Sequence, residues 1–269
     1  MSVERIFPIN RPYYDLPQVE TFKEMIDRSE SLYSDRPAYK LKNKDGVLYN
    51  VTYKKFRHDI YYIGNSLIKK GYSRSHIAVI GASSYRWQVT YLAVTCSDNV
   101  IVPIDKELLT DNIMDILKDS DSVMLFGDKK YINAIKERKD ELPENFVFVC
   151  FDDVEEDGVE NFSDWLQEGR DMYHSGTRYL NDIKLDKDAT AAILFTSGTT
   201  GVSKGVCLSQ YNICFDVVSV LSVVKVNPDD NCLSVLPIHH TYECTVGFFA
   251  FIYSGACISF SRGLRYIMQ

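Results

Sequence analysis

Apolar positions along the chain switch between two spacings, and the switches predict where helices give way to strands. Phe56, Ile60, Ile63 and Leu67 recur at steps of four, three and four, the spacing of one helical face. Thr52 stands where an N-cap is expected and Gly71 where the helix stops. Just upstream, two short runs at 38–42 and 47–52 flank Lys44-Asp45-Gly46, a hairpin turn signal. Before them, Pro17 and Thr21 introduce a helical stretch that reaches Leu32.

From residue 77 the pattern becomes a repeated strand–helix rhythm. Strands are predicted at 77–80, 100–104, 123–126 and 146–151. Helices are predicted from Ser83 or Ser84 to Ala93, at 110–117 and at 128–141. The stretch 152–185 is more polar and acidic, with breakers at Glu155-Glu156-Asp157-Gly158 and Ser175-Gly176-Thr177. It reads as a connection rather than a flexible linker. The rhythm resumes with strands at 191–196, 206–209, 232–236 and 256–260 and helices at 211–223 and 241–253. Short apolar strands alternating with helices of this length predict an α/β fold with mainly parallel sheets flanked by helices. The expected division is a first αβ sub-structure over 18–151, a connection over 152–187 and a second sub-structure over 188–269.

Composition narrows the function classes. The 269 residues are 45% hydrophobic and 13% aromatic, which predicts a buried core over most of the length. A formal net charge of -7 gives no general attraction to a nucleic-acid backbone, so nucleic-acid binding is not expected. An anionic small molecule stays compatible, because a few backbone N–H groups and one Lys suffice to hold a phosphate. The 7 cysteines are scattered without a C-x-x-C pair, suggesting neither zinc nor a disulfide framework and predicting a reducing, cytosolic setting. The first residues lack the apolar stretch of a signal peptide. The uncharged run 244–260, interrupted by Gly247 and Ser254-Gly255, is expected to be a buried helix and strand rather than a membrane span.

One segment carries chemistry. Residues 193–206 read Ile-Leu-Phe-Thr-Ser-Gly-Thr-Thr-Gly-Val-Ser-Lys-Gly-Val. An apolar strand runs into Thr196, Ser197, Thr199 and Thr200, then Lys204, then a second apolar run. Gly198, Gly201 and Gly205 permit the close backbone approach that wrapping a phosphate requires, and Lys204 adds a point charge. A hairpin with a polar tip has the same composition. The order of residues is not that of a Walker A loop, which places Gly-Lys-Ser/Thr after four spacer residues; here Lys204 is followed by Gly205. No G-x-S-x-G nucleophile elbow and no metal-ligand spacing occur.

The ordered string T-S-G-T-T-G-x-x-K-G resembles the signature loop of the adenylate-forming (AMP-binding) superfamily, which includes acyl-CoA synthetases, luciferases and peptide-synthetase adenylation domains. Val51-Thr52-Tyr53, the strand at 77–80, and Val102-Pro103-Ile104-Asp105 resemble the family's earlier segments in order. Leu236-Pro237-Ile238-His239-His240 resembles its Leu-Pro-x-x-His, with His240 in the place of that His, and Thr241-Tyr242-Glu243 is most similar to the long-chain acyl-CoA synthetases. The departures are Ser203, where many members have Pro, and Gln210, where many have His.

The resemblance implies the N-terminal part of the acyl-CoA synthetase-like fold and activation of a carboxylic acid, a fatty acid in the nearest branch. Acyl-AMP would form from ATP and pass its acyl group to CoA. It implies that Thr196, Ser197, Gly198, Thr199, Thr200, Gly201 and Lys204 hold the ATP phosphates, and that His240 lines the meeting point of acyl and thiol routes. A cap or core partner at a strand-to-helix junction is the plainer reading of His240; His239 reads as its structural neighbour. The family's downstream Tyr-Gly-x-Thr-Glu, whose Glu helps hold Mg²⁺, its ribose-binding Asp and its C-terminal lid domain with a catalytic Lys have no counterpart here. Residues 261–269 read as an interruption. The expectation is therefore an incomplete AMP-binding domain, inactive alone. The alternatives are a non-catalytic nucleotide- or acyl-binding half-protein and an enzyme loading a carrier-protein thiol.

Overall fold

The computed structural model describes residues 14–43, 45–196 and 204–261. Helix α1 (Phe22–Tyr33) begins where Thr21 Oγ1 accepts the Glu24 amide at 3.1 Å. Strands β1 (Pro37–Lys42) and β2 (Leu48–Thr52) pair antiparallel across Gly46, whose φ of 80° suits the turn. The expected turn residue Lys44 lies outside the described residues. Helix α2 (Tyr53–Lys69) is capped by Thr52, whose Oγ1 accepts the Lys55 amide at 3.2 Å, and it buries Phe56, Ile60, Ile63 and Leu67. Gly71 follows with a left-handed φ of 87°, so the spacing argument holds from cap to stop.

The rhythm beyond it runs β3 (His76–Ile80), α3 (Tyr85–Cys96), β4 (Val100–Ile104), α4 (Thr110–Asp119), β5 (Met124–Gly127), α5 (Lys129–Lys136), β6 (Val147–Cys150) and β7 (Glu160–Asn161). Next come α6 (Phe162–His174), α7 (Tyr179–Asp182), β8 (Thr190–Thr196), β9 (Lys204–Ser209), α8 (Gln210–Val223) and β10 (Asn231–Ser234). A π-helix (Glu243–Phe249), α9 (Ala250–Ser254) and β11 (Cys257–Phe260) complete the described elements.

Two sheets result. A 7-stranded sheet has the order β7-β6-β5-β3-β4-β8-β9, and a 4-stranded sheet the order β10-β11-β1-β2. Neighbours are parallel except at β8/β9 and β1/β2. Strands β4 and β5 are buried along their whole length, as apolar runs covered on both faces should be. The sheets do not follow the expected division of the chain: each takes strands from before and after 152–187. That stretch is itself built into the fold. Helix α6 lies against α2 so closely that a Cβ on Gly169 would fall 1.8 Å from the Tyr62 carbonyl oxygen.

Two predicted helices differ from those observed. The helix expected at 128–141 ends at Lys136, where i→i+3 bonds take over: Arg138 N–H donates to Ile135 O and Leu142 N–H to Lys139 O. This tighter turn is a common way to end a helix. The helix expected at 241–253 is π-helical over Glu243–Phe249. Gly247 makes room there, since a Cβ would sit 2.6 Å from the Glu243 carboxyl. The uncharged run is buried as expected, with Phe248, Phe249, Ile252 and Ile258 fully inside. No helix among the described residues is long and apolar enough to cross a membrane.

Candidate active site

The apolar residues of 190–196 and 206–208 make an antiparallel strand pair. Strands β8 and β9 pair antiparallel up to Thr196 and Lys204, which stand opposite each other, with Thr196 Oγ1 3.5 Å from the Lys204 carbonyl. Both residues are exposed. The other expected phosphate-binding residues, Ser197, Gly198, Thr199, Thr200 and Gly201, lie outside the described residues. The hairpin mouth thus brings one hydroxyl and one ammonium side chain to the same end of the sheet.

That end has a second contributor. Strand β8 runs parallel to β4 with Ala192 beside Ile101. Four residues further along each strand stand Thr196 and Asp105, both at carboxyl ends, the edge where open α/β sheets place their ligands. Asp105 is held by its own backbone, Oδ1 accepting the Glu107 amide at 2.9 Å. Its Oδ2 lies 3.5 Å from His239 Nε2. Nearby, Ser83 Oγ, after β3, donates to the Leu236 carbonyl at 3.3 Å. The turn that follows β10 is therefore tied to the ends of two strands of the other sheet.

His240 occupies that turn and is exposed. Its N–H donates to Pro237 O at 3.1 Å, and its carbonyl accepts the Cys244 amide at 3.0 Å. Its Nδ1 accepts the Tyr242 amide at 3.3 Å, so the neutral ring carries its proton on Nε2. That bond restrains the ring while the residue stays exposed. Burial holds the His239 imidazole below the ordinary histidine value; Asp105 pulls it back up, and His240 and Lys106 push it down.

Glu243 is the other polar group of this region that sequence reasoning passed over. It is buried, and its Oε1 accepts the Ser234 hydroxyl at 2.6 Å. Burial raises its carboxyl above the usual carboxylate range, partly offset by that bond. The sequence signal for Asp105 was its place directly after a strand; for Glu243 it was the glycine four residues on. The remaining histidines lie apart. His76 Nδ1 is 2.5 Å from Ser120 O, while His58 packs against Tyr62 and Tyr173. An open groove of about 500 Å³ along α1, lined by Thr21, Asp27, Arg28 and Leu185 among others, shares no residue with the hairpin or the His240 turn. Among the described residues no group of three or more His, Cys, Asp or Glu could hold a metal ion.

The sequence profile of the AMP-binding enzyme family matches residues 26–266. A CoA ligase of Gibberella moniliformis is 29% identical over 188 residues, 70% of this chain and 29% of the relative. The chloroplastic long-chain-fatty-acid–[acyl-carrier-protein] ligase AEE15 of Arabidopsis thaliana is 26% identical over 238 residues, 83% of this chain and 33% of the relative. The chain thus spans about a third of the length of these relatives. Among solved structures, the anthranilate CoA ligase AuaEII in complex with anthranoyl-AMP superposes with a TM-score of 0.79 at 16% identity, covering 94% of this chain and 47% of that one. ATP-bound MatB from Rhodopseudomonas palustris gives 0.68 at 20% identity, covering 90% and 46%. These two likenesses show the fold, and the profile over nearly the whole length shows the family: the chain belongs to the AMP-binding enzymes.

Proposed function

We propose that this chain supplies the N-terminal part of an enzyme that activates a carboxylic acid, a fatty acid by the likeness of Thr241-Tyr242-Glu243 to the long-chain branch, to acyl-AMP and then acyl-CoA. The observation that carries the reading is the β8–β9 hairpin, which sets Thr196 and Lys204 at the mouth of the T-S-G-T-T-G-x-x-K-G string beside the carboxyl end of β4.

A carboxylate is a poor electrophile, because its charge repels nucleophiles and its oxygen leaves badly. In the proposed reaction a carboxylate oxygen attacks the α-phosphorus of ATP and the bond to pyrophosphate breaks. The CoA sulfur then attacks the acyl carbon, giving up its proton, and AMP departs. Thr196, Ser197, Gly198, Thr199, Thr200, Gly201 and Lys204 hold the β- and γ-phosphates through hydroxyls, amides and one ammonium, which is positioning and charge stabilisation. Mg²⁺ bound to the ATP phosphates would neutralise part of their charge. His240 lines the route on which acyl group and thiol meet, with Nε2–H as its available donor.

Two features support a further polypeptide section completing the enzyme. Among the described residues β9 and β10 each have a neighbour on one side only. On those two strands Val206 and Leu233 are exposed large apolar residues, and exposed apolar side chains on an edge strand suit cover by another segment. Lys204→Ala, read by ATP binding in the native gene product, tests the assignment. Loss of a charged phosphate contact weakens binding by about 10- to 100-fold, while the fold stays intact because Lys204 is exposed. Unchanged affinity removes Lys204 from the role.

A further inference from the structure

The His240 turn follows β10 of one sheet, and its neighbour His239 reaches Asp105, which follows β4 of the other. Two contacts hold the turn from that side. Ser83 Oγ donates to Leu236 O at 3.3 Å. Asp105 Oδ2 meets His239 Nε2 at 3.5 Å, while its Oδ1 is occupied by the Glu107 amide at 2.9 Å. The Glu107 bond orients the Asp105 carboxylate independently of His239, and the side chains of the pair are 36% and 20% exposed. Within the turn, His240 is fixed by the Tyr242 amide on Nδ1.

We propose that Asp105 and His239 are positioning residues, whose contact ties the turn to the end of β4 and so sets where His240 presents Nε2–H. The catalytic meaning of that position rests on the function proposed above; the contact itself does not. A shift of His239 away from Asp105 moves a neighbouring residue whose own backbone bonds to Pro237 and Cys244 allow little independent freedom. The groups facing the His239 ring are Asp105 and Glu107, which favour its charged form, and His240 and Lys106, which disfavour it. Asp105 contributes most among the groups favouring charge, so its removal has a definite electrostatic sign.

The test is long-range ¹H–¹⁵N NMR of the 5 histidine side chains of this chain through a pH titration, with His239 and His240 assigned by single Gln substitutions. In Asp105→Asn the His239 midpoint is expected to move to lower pH and the His240 ring resonances to shift. A His239 midpoint that stays in place, or an unmoved His240 ring, overturns the proposal. Unfolding is separated from this effect by a second variant. His239→Phe breaks the same contact from the other side, so it should move His240 in the same way, and adding Asp105→Asn should move it no further. Fully additive shifts would mean two independent effects and overturn the proposal. In the native gene product Asp105→Asn is then expected to lower kcat with the KM for ATP unchanged. Ring coupling without any change in kcat would sink the assignment of His240 and leave the positioning contact standing.

Discussion

Gly169→Ala sets helix propensity against packing at one atom. Gly169 lies inside α6 and is buried; alanine in such a place favours the helix by about 1 kcal/mol. Against this, the new Cβ would fall 1.8 Å from the Tyr62 carbonyl oxygen and 2.4 Å from its carbon. Those are backbone atoms of α2 and cannot turn aside. A carbon–oxygen contact settles near roughly 3.3 Å, so α6 must withdraw by about 1.5 Å. A gap of about 0.5–1 Å already forfeits a quarter to a half of a contact's dispersion energy. The withdrawing helix carries Phe162 and Trp165, 3% and 1% exposed, and the Trp165 carbonyl that accepts Ser66 Oγ at 2.8 Å. Overpacking costs about 1–3 kcal/mol and a weakened buried hydrogen bond about 1 more, so after the propensity gain about 1–3 kcal/mol is lost. Urea unfolding followed by tryptophan fluorescence measures it, since Trp87 and Trp165 are the 2 tryptophans. A variant as stable as the parent, or more so, would refute the reasoning and make α6 an adjustable appendage.

Other expectations concern caps and charge. Thr52→Ala removes the acceptor of the Lys55 amide and should cost about 1 kcal/mol in the same urea experiment; a change under about 0.3 kcal/mol would show that tertiary packing alone starts α2. Burial raises the Glu243 carboxyl above its ordinary 4.5, so the folded chain binds that proton more tightly than the unfolded chain. Its stabilisation is complete below 4.5 and is lost as pH rises through the folded value. Glu243→Gln keeps an acceptor for Ser234 and does not ionise, so it should be more stable than the parent at alkaline pH, with the difference closing in acid. Parallel pH profiles for the two proteins would contradict that account.

Much of the fold was legible because its signals are local. The Thr21, Thr52 and Ser84 caps, the Gly71 stop and the all-apolar strands β4 and β5 follow from residues close in sequence. Two things were not. The assignment of strands to sheets depends on contacts such as Tyr39 beside Ile258, more than two hundred positions apart, which no local period encodes. The π-helix depends on a carboxyl finding room over Gly247. At the candidate site the ordered string and the His-His pair were visible, whereas the partnership of Asp105 with His239 arises only when two sheets meet. Polar composition made 152–187 read as a connection; Trp165, Gly169 and Leu180 show how a few apolar or small residues anchor a charged stretch in the core.

The most direct measurement is carboxylate-dependent exchange of labelled pyrophosphate into ATP by the native gene product, immunopurified with an antibody against this chain. The account expects exchange with one or more fatty acids, AMP rather than ADP on adding CoA, and loss of about tenfold or more in Lys204→Ala. ATP cleavage to ADP and phosphate, or exchange untouched by Lys204→Ala, would contradict it.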